Sequence, residues 1–173
     1  MAPVQADPGC YICRKHRGEI ELPGGAIIED ALIYTGHAQI RPGQTTAYLG
    51  YLMAEPKRHV ASLPGLTDEE AQALGLLVAR LSRALVATQG ADHVYAFVLG
   101  DHVAHVHVHV VARYPGAPEE YRGPRVDDWP EAPRGGPAEI EAVCARLREW
   151  LNASSGAPSA GHKTPGGSPS PGA

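Results

Sequence analysis

Three histidines alternate with valines at positions 105, 107 and 109 of the 173-residue sequence. Valine favours a pleated strand, and alternation with period two places all members of one set on one face. We therefore expect His105, His107 and His109 to line one face about 6.7 Å apart, with the valines between them facing a core. Imidazole is a nucleophile, a proton shuttle and a metal ligand near neutral pH, so this run predicts a reactive surface.

A Cys-x-x-Cys pair, Cys10 and Cys13, lies near the start of the sequence. In a reducing compartment such a pair is rarely a structural disulfide, which leaves a redox pair or half of a zinc site. A redox pair of the thioredoxin kind follows a buried strand and opens a long helix, whereas here Gly18 and Pro23 follow closely. The sequence favours a zinc site whose other ligands are histidines from elsewhere in the chain.

The histidine face can be used in two ways. In the first, His59, His105 and His107 bind a catalytic zinc ion that keeps a water molecule. In the second, one histidine of the run and His59 join the two cysteines in a closed four-ligand zinc site, and the next histidine stays free of metal as a nucleophile. The second is favoured because the first leaves the cysteine pair unexplained.

Five strands are predicted to position these residues. They lie in two short runs within 26–40 that meet near Glu29 and Asp30, at 45–55, at 92–99 and over the histidine run itself. A Pro-Gly turn at 41–44 separates the second from the third. The strand at 92–99 and the histidine strand should be adjacent and antiparallel, because the turn at Gly100 leaves only a short link between them.

Two amphipathic helices are predicted around these strands. Thr67 and Glu70 form a capping box that opens the first helix, and Gly90 ends it. Pro137 opens the second helix, whose buried face includes Cys144 as a small hydrophobe. The expected fold is therefore α+β, with an about five-stranded, mainly antiparallel sheet, one inserted helix and one C-terminal helix.

Length and composition suit one domain. We expect a flexible arm at 1–8, a catalytic domain at 9–152 and a disordered tail rich in Gly, Pro, Ser and Ala at 153–173. A formal net charge of −4 without a basic run argues against a nucleic-acid groove. No apolar run approaches the ~18 residues that span a bilayer, and no signal peptide is recognisable, so a cytoplasmic protein is expected.

The run at 105–111 resembles the His-φ-His-φ-His-φ-φ signature of the histidine triad (HIT) superfamily, where φ is apolar. Pro56-Lys57-Arg58-His59 resembles a segment that those proteins carry upstream of the signature. The cysteine pair resembles the N-terminal pair of the family's zinc-containing branch. The resemblance covers roughly residues 9–113 in order and spacing.

This resemblance implies a HIT-like fold, a homodimer and attack on the α-phosphate of a nucleotide substrate. It implies that His107 forms a covalent nucleotidyl-histidine intermediate, and that His109 orients it and manages phosphate charge or leaving-group protons. The structural zinc ligands that it implies are Cys10, Cys13, His59 and His105. Family substrates include nucleoside phosphoramidates, dinucleoside polyphosphates and nucleotide sugars, and both hydrolysis and transfer occur among relatives.

The sequence departs from the family pattern just before the triad. Asp101 replaces a glutamine, His102 occupies a position that is small in some members, and an upstream asparagine and a ribose-binding acidic residue have no counterpart. A carboxylate beside phosphate repels it unless paired or protonated. We hypothesise that Asp101 and His102 handle protons for an unusual leaving group, so that Asp101→Asn alters the pH–rate profile.

The loop after the triad offers further candidates for substrate binding. Arg125 and Arg134 are predicted to reach phosphates, and Trp129 to stack on a base or pack across a dimer seam. Two other functions stay open beside a nucleotidyl hydrolase or transferase. One is a zinc-dependent hydrolase with a histidine-bound metal, and the other is a non-catalytic nucleotide-binding protein of the HIT type.

Overall fold

An antiparallel sheet of five strands forms the centre of the computed structural model, which describes residues 7–154. The elements in chain order are α1 (Tyr11–His16), β1 (Ala26–Glu29), β2 (Ile33–His37), β3 (Ala47–Tyr48), β4 (Tyr51–Pro56), α2 (Asp68–Gln89), β5 (His93–Phe97), β6 (Val108–Arg113), β7 (Arg134–Gly135) and α3 (Pro137–Ser154). Short 3₁₀ turns lie at Leu63–Gly65, Glu119–Tyr121 and Gly123–Asp128. The main sheet has the order β1-β2-β4-β6-β5, and β3 pairs with β7 in a separate sheet. The predicted α+β fold is confirmed.

The register between β4 and β6 decides which side chains share a face. Leu52 lies opposite Val110, and Met53 lies opposite His109. Opposite residues of an antiparallel pair point to the same side. Leu52 and Val110 are fully buried in the core, and α2 packs against both strands. The predicted alternation therefore holds for His109, which lies on the face away from that core.

Helix α2 begins and ends where the sequence predicts. The Thr67 hydroxyl accepts a hydrogen bond from the Glu70 amide at 3.2 Å, and the Glu70 carboxylate accepts one from the Thr67 amide at 2.9 Å. Gly90 ends the helix with a φ of 71°. By length and composition alone α2 is apolar enough to cross a membrane, a test that a core helix of a soluble protein also passes. Its leucines at 74, 77, 81 and 85 are buried in the core.

The predicted strand at 45–55 is two strands in different sheets. β3 pairs with β7, and the chain then turns at Gly50, which has a φ of 77°. A Cβ atom at Gly50 would lie 2.9 Å from the hydroxyl of Tyr114, so both the turn and the packing require glycine. The prediction was wrong because apolar alternation continues through a turn that only one glycine marks.

The link between β5 and β6 is longer than predicted. The two strands are antiparallel neighbours as expected, but residues 98–107 between them form a loop that includes His105 and His107. In this loop the Val106 amide donates to the Val60 carbonyl at 2.8 Å, and the His105 amide donates to the Val103 carbonyl. His105 and His107 are thus positioned by local loop contacts, and only His109 by the strand register.

Helix α3 begins at Pro137 as predicted, and Cys144 is fully buried on its core face. The helix continues through Ser154, past the predicted domain end at 152. Most of the predicted arm at 1–8 and of the predicted tail at 153–173 lies outside the described residues.

Candidate functional site

Two cysteines and two histidines from three segments of the chain meet beside the sheet. Cys10 caps α1 and Cys13 lies within it, so that one helical turn brings both thiols to the same side. His59 follows β4 and His105 lies in the loop before β6. The four ligand atoms all lie within 4.8 Å of one another. The structure therefore brings together the four residues that the resemblance implied as ligands.

Distances within this Cys/His cluster suit a tetrahedral metal ion. The Nδ1 atom of His105 lies 3.5 Å from the Cys10 sulfur and 3.6 Å from the Cys13 sulfur, and the Nδ1 atom of His59 lies 3.4 Å from the Cys13 sulfur. Zinc bonds of about 2.3 Å to sulfur and 2.0–2.1 Å to nitrogen place tetrahedral ligand atoms about 3.6 Å apart. With four protein ligands such a site is closed.

Surrounding groups prepare His105 for this role. Its Nε2 lies 2.8 Å from the carbonyl oxygen of Pro56, which can only accept, so Nε2 carries the proton and Nδ1 presents its lone pair to the cysteines. Burial lowers the pKa of His105 to about 4. The ring is therefore neutral at neutral pH, as a metal ligand must be.

His107 is oriented through its ring nitrogen Nδ1, which lies 2.7 Å from the carbonyl oxygen of His105. Since a carbonyl cannot donate, Nδ1 holds the proton, and Nε2 of the neutral ring keeps its lone pair. This is the tautomer that a nucleophile acting through Nε2 requires. His107 is half-buried and lines a cleft of about 200 Å³.

His109 is more deeply enclosed than His107. Its Nδ1 lies 2.8 Å from the Tyr51 hydroxyl, its ring stacks on Phe97 at 4.8 Å, and the His107 ring is 4.9 Å away. Burial, with a further contribution from His107, lowers the pKa of His109 to about 4. Burial also raises the pKa of Tyr51 to about 12, so this hydroxyl keeps its proton and can donate it to Nδ1. The Nε2 atom of His109 would then carry a proton, and within residues 7–154 this buried atom has no hydrogen-bond partner.

Two clefts meet at these histidines and share Ala38, Gln39 and Met53 as a common wall. One of them, the His107 cleft, is lined largely by apolar side chains. They include Tyr11, Ile12, Leu22 and Val103. The arginine cleft, with His109, has a volume of about 340 Å³. Its polar side chains include Arg41, Gln44, Tyr51, His102, Asp127 and Arg134.

A buried ion pair at the wall of the His107 cleft ties α1 to the sheet. The Lys15 ammonium lies 2.5 Å from one oxygen of Glu55, and Nε2 of His16 donates to the other at 2.8 Å. Burial by itself raises the pKa of Glu55, but the hydrogen bond from His16 and the charge of Lys15 outweigh it and hold this pKa below its ordinary value. The carboxylate is therefore ionised at neutral pH, and α1 is held with its cysteines against the loop at 98–107.

The predicted substrate-binding residues are divided by the structure. His102 and Arg134 line the arginine cleft. Asp101 is exposed in the loop before the triad, and Arg125 is exposed and pairs with Asp128 at 3.3 Å. Trp129 is buried in the hydrophobic core of its own chain, where its indole nitrogen donates to Glu131 at 2.8 Å.

Trp129 and Arg125 are not among the residues that line the arginine cleft. Sequence reasoning missed Tyr51, Arg41 and Asp127, which do line it. Tyr51 carried one usable signal, because it alternates with Met53 and Glu55 and so shares a face with them. Asp127 carried none, because its place beside Arg41 depends on the path of a long loop.

Comparison with known proteins agrees with this architecture. The profile of the HIT domain family matches residues 27–116. A Zn-bound histidine triad family protein from Mycobacterium smegmatis has a similar structure, with a TM-score of 0.64 and 20% identity over 85% of this chain and 98% of that one. A search of curated proteins found no match.

Two further solved structures are similar. A hypothetical histidine triad nucleotide-binding protein from Sulfolobus tokodaii has a TM-score of 0.65 at 17% identity, over 84% of this chain and 93% of that one. A histidine triad protein from Sinorhizobium meliloti has a TM-score of 0.60 at 23% identity, over 86% of this chain and 98% of that one. At these identities the structural likeness concerns the fold.

Proposed function

The chain belongs to the HIT family, and from that premise we propose that it is a nucleotidyl hydrolase or transferase acting at the α-phosphate of a nucleotide substrate. The observation that carries this proposal is the 2.7 Å contact between Nδ1 of His107 and the carbonyl oxygen of His105. It leaves the Nε2 lone pair of a half-buried imidazole available beside a cleft. The resemblance to the family implies nucleoside phosphoramidates, dinucleoside polyphosphates and nucleotide sugars as the candidate substrates.

The reaction has two displacements at phosphorus. The Nε2 lone pair of His107 forms a bond to the α-phosphorus while the bond to the leaving group breaks, and the electron pair goes with that group. Water, or another acceptor in a transferase, then attacks the same phosphorus. The N–P bond breaks and its electron pair returns to Nε2 of His107. The attacking water or acceptor releases its proton to solvent. Splitting the reaction in this way replaces one difficult step with two easier ones.

His109 serves this reaction as a positioned hydrogen-bond donor. When the Tyr51 hydroxyl donates to Nδ1, the proton on Nε2 of His109 can be donated to a phosphate oxygen. A donor that is already oriented in a buried position stabilises the developing charge without reorganising. This arrangement accounts for a buried Nε2 atom that has no partner among residues 7–154.

The Cys/His cluster would hold a zinc ion with a structural role. Its ligands would be Cys10, Cys13, His59 and His105, and the bound zinc would cross-link α1, the segment after β4 and the loop at 98–107. Three observations support this role. The distances fit tetrahedral zinc, and four protein ligands leave no position for water. The similar M. smegmatis protein is described as Zn-bound.

We also propose a cytoplasmic homodimer. All three cysteines of the chain are free, which suits a reducing compartment. Strand β5 is an edge strand of the main sheet, and edge strands can pair with a second copy of the chain. Sedimentation equilibrium tests the assembly, and a monomer at micromolar concentration would contradict it.

The test of the proposed function compares wild type with His107→Ala on adenosine phosphoramidate, a diadenosine polyphosphate and ADP-glucose, with bound zinc quantified in both proteins. We expect His107→Ala to lose at least about a thousandfold in kcat and to keep its zinc. Wild type quenched during turnover should carry nucleotide on a histidine. Loss of zinc together with turnover would instead favour a metal-dependent hydrolase. Binding of AMP without turnover of any of the three substrates would favour a non-catalytic nucleotide-binding protein.

A further inference from the structure

We propose that the arginine cleft beside His109 binds the leaving group of the substrate, and that this leaving group is itself phosphorylated. The inference rests on the proposed function and narrows its substrate class. Dinucleoside polyphosphates and nucleotide sugars have such a leaving group, whereas nucleoside phosphoramidates release an amine. The shared chemistry is a phosphate oxygen that leaves the α-phosphorus.

The position of the cleft follows from the geometry of phosphoryl transfer. In an in-line displacement the attacking atom and the leaving atom lie on opposite sides of phosphorus. The leaving group therefore departs on the side away from His107. Of the two clefts that share the wall at Ala38, Gln39 and Met53, the arginine cleft is the one that His107 does not line. A substrate attacked by His107 extends past His109 into it.

The charges in the arginine cleft suit a phosphate. Arg41 pairs with the Asp127 carboxylate at 2.5 Å, and Arg134 donates to the main-chain carbonyl of Asp127. The described lining of this cleft thus contains two guanidinium groups and one carboxylate, which leaves its wall with an excess of positive charge. Each guanidinium has five N–H donors in a planar fork that matches phosphate oxygens. An uncharged amine would gain nothing from this wall.

The His107 cleft suits the nucleoside part of the substrate. Its apolar side chains, among them Ile12, Leu22 and Val103, offer contacts to a nucleobase, and the Tyr11 ring offers a stacking surface. Its two charged side chains, Lys15 and Glu55, already form an ion pair with each other at 2.5 Å. The His107 cleft is thus mainly apolar, like a nucleobase, and the arginine cleft is positively charged and so complements a phosphorylated leaving group.

The chemistry at His109 points the same way. Because its pKa is lowered to about 4, His109 is neutral near pH 7 and is a weak source of protons for a departing group. An amine must receive a proton as the P–N bond breaks. A phosphate oxygen keeps the electron pair of the breaking P–O bond and leaves as an anion, so it needs only hydrogen-bond donors and positive charge. The arginine cleft supplies both.

The experiment measures kcat/KM of the full-length protein on three adenosine substrates that differ only in the leaving group. These are adenosine phosphoramidate, diadenosine tetraphosphate and ADP-glucose. We expect wild type to prefer at least one of the two phosphorylated leaving groups over the amine by about tenfold or more. The better of those two substrates shows whether the leaving group is a nucleotide or a sugar phosphate. Arg134→Gln should reduce this preference by about tenfold, and Arg134→Lys should restore part of it.

Controls separate binding from folding. Arg83→Gln removes an exposed arginine of α2 and should keep the preference of wild type. Melting temperatures are recorded for every variant, because Arg134 also holds the Asp127 main chain. If Arg134→Gln melts well below wild type, Gln44→Ala is used instead, since it removes a cleft amide and should lower the preference in the same direction.

Two results would overturn the inference and leave the proposed function intact. One is a wild-type enzyme that turns over the phosphoramidate as well as the other two substrates. The other is a folded Arg134→Gln variant that loses activity on all three in the same proportion. Absence of turnover and of any nucleotidyl-histidine with all three substrates would instead reject the proposed function itself.

Discussion

The Nδ1 atom of His107 lies 2.7 Å from the main-chain carbonyl oxygen of His105. The side chain of His105 belongs to the Cys/His cluster, with its own Nδ1 3.5 Å from the Cys10 sulfur. His105 therefore joins the cluster through its ring and sets the tautomer of His107 through its backbone. We therefore expect a metal ion in the Cys/His cluster to influence catalysis only by fixing the position of His107.

Cys13→Ser should lose the metal and destabilise the protein, because a hydroxyl is a poor zinc ligand and metal binding contributes to folding free energy. We also expect kcat to fall by about tenfold, because the His105 backbone that orients His107 loosens. Zinc content, thermal unfolding and kcat are measured on the same preparation. The fall should be much smaller than that of His107→Ala.

Cys144→Ala is the matched control for this prediction. Cys144 is also buried, but it lies on α3 away from the cluster. This variant should keep its zinc and its kcat. If folded Cys13→Ser loses as much activity as His107→Ala, the metal takes part in the chemistry and its role is not merely structural.

Tyr51→Phe should lower kcat by about tenfold while changing KM little, because the hydroxyl orients His109 and adds little to substrate binding. The 2.8 Å contact to Nδ1 of His109 would be lost and the ring would no longer be held in one tautomer. Tyr95→Phe removes a hydroxyl on β5 that accepts a long contact of 3.4 Å from Arg113, and it serves as the control. Equal losses in both variants would count against a positioning role for Tyr51.

The free energy of unfolding should fall as the pH drops from about 6.5 to about 4. The pKa of His109 is about 4 in the folded protein against an ordinary 6.5, so between these values the unfolded chain binds a proton that the folded one does not. The contribution of neutral His109 to the free energy of unfolding is complete above its ordinary pKa of 6.5. It is lost as the pH falls toward the folded-state pKa of about 4. The loss attributable to His109 is on the order of 2 kcal/mol.

Urea unfolding of wild type and His109→Gln across this pH range measures that contribution. Glutamine cannot take up the proton, so the difference in unfolding free energy between the two proteins should shrink as the pH falls. The subtraction removes the acid sensitivity of the Cys/His cluster, which both proteins retain. Parallel curves for the two proteins would show that His109 titrates normally in the fold.

Gly50→Ala should destabilise the protein more than Gly43→Ala. Both glycines have positive φ angles, 77° and 80°, so both substitutions carry the cost of a left-handed backbone, about 1 kcal/mol or more. At Gly50 a Cβ atom would in addition meet the Tyr114 hydroxyl at 2.9 Å, whereas at Gly43 nothing lies within 4 Å. We expect about 1–3 kcal/mol of extra loss for Gly50→Ala by urea unfolding. Equal losses would mean that Tyr114 moves aside freely.

Local patterns in the sequence determined much of this fold. The capping box at Thr67, the stop at Gly90 and the start at Pro137 predicted both long helices, because these signals act within one helical turn. Period-two alternation predicted that His109 lies on the face away from the core valines, because successive side chains of any pleated strand point to opposite faces. The types and spacing of the histidines and cysteines predicted a zinc site and a reactive histidine, and the structure brings the four predicted zinc ligands together.

Tertiary structure decided the features that depend on residues far apart in the chain. The turn at Gly50 follows from the pairing of β3 with β7, and the orientation of His109 from its contact with Tyr51. The arginine cleft exists only because the loop after β6 returns Asp127 and Arg134 to Arg41. No local period encodes such contacts, since they arise when distant segments pack together and the buried polar groups among them find partners.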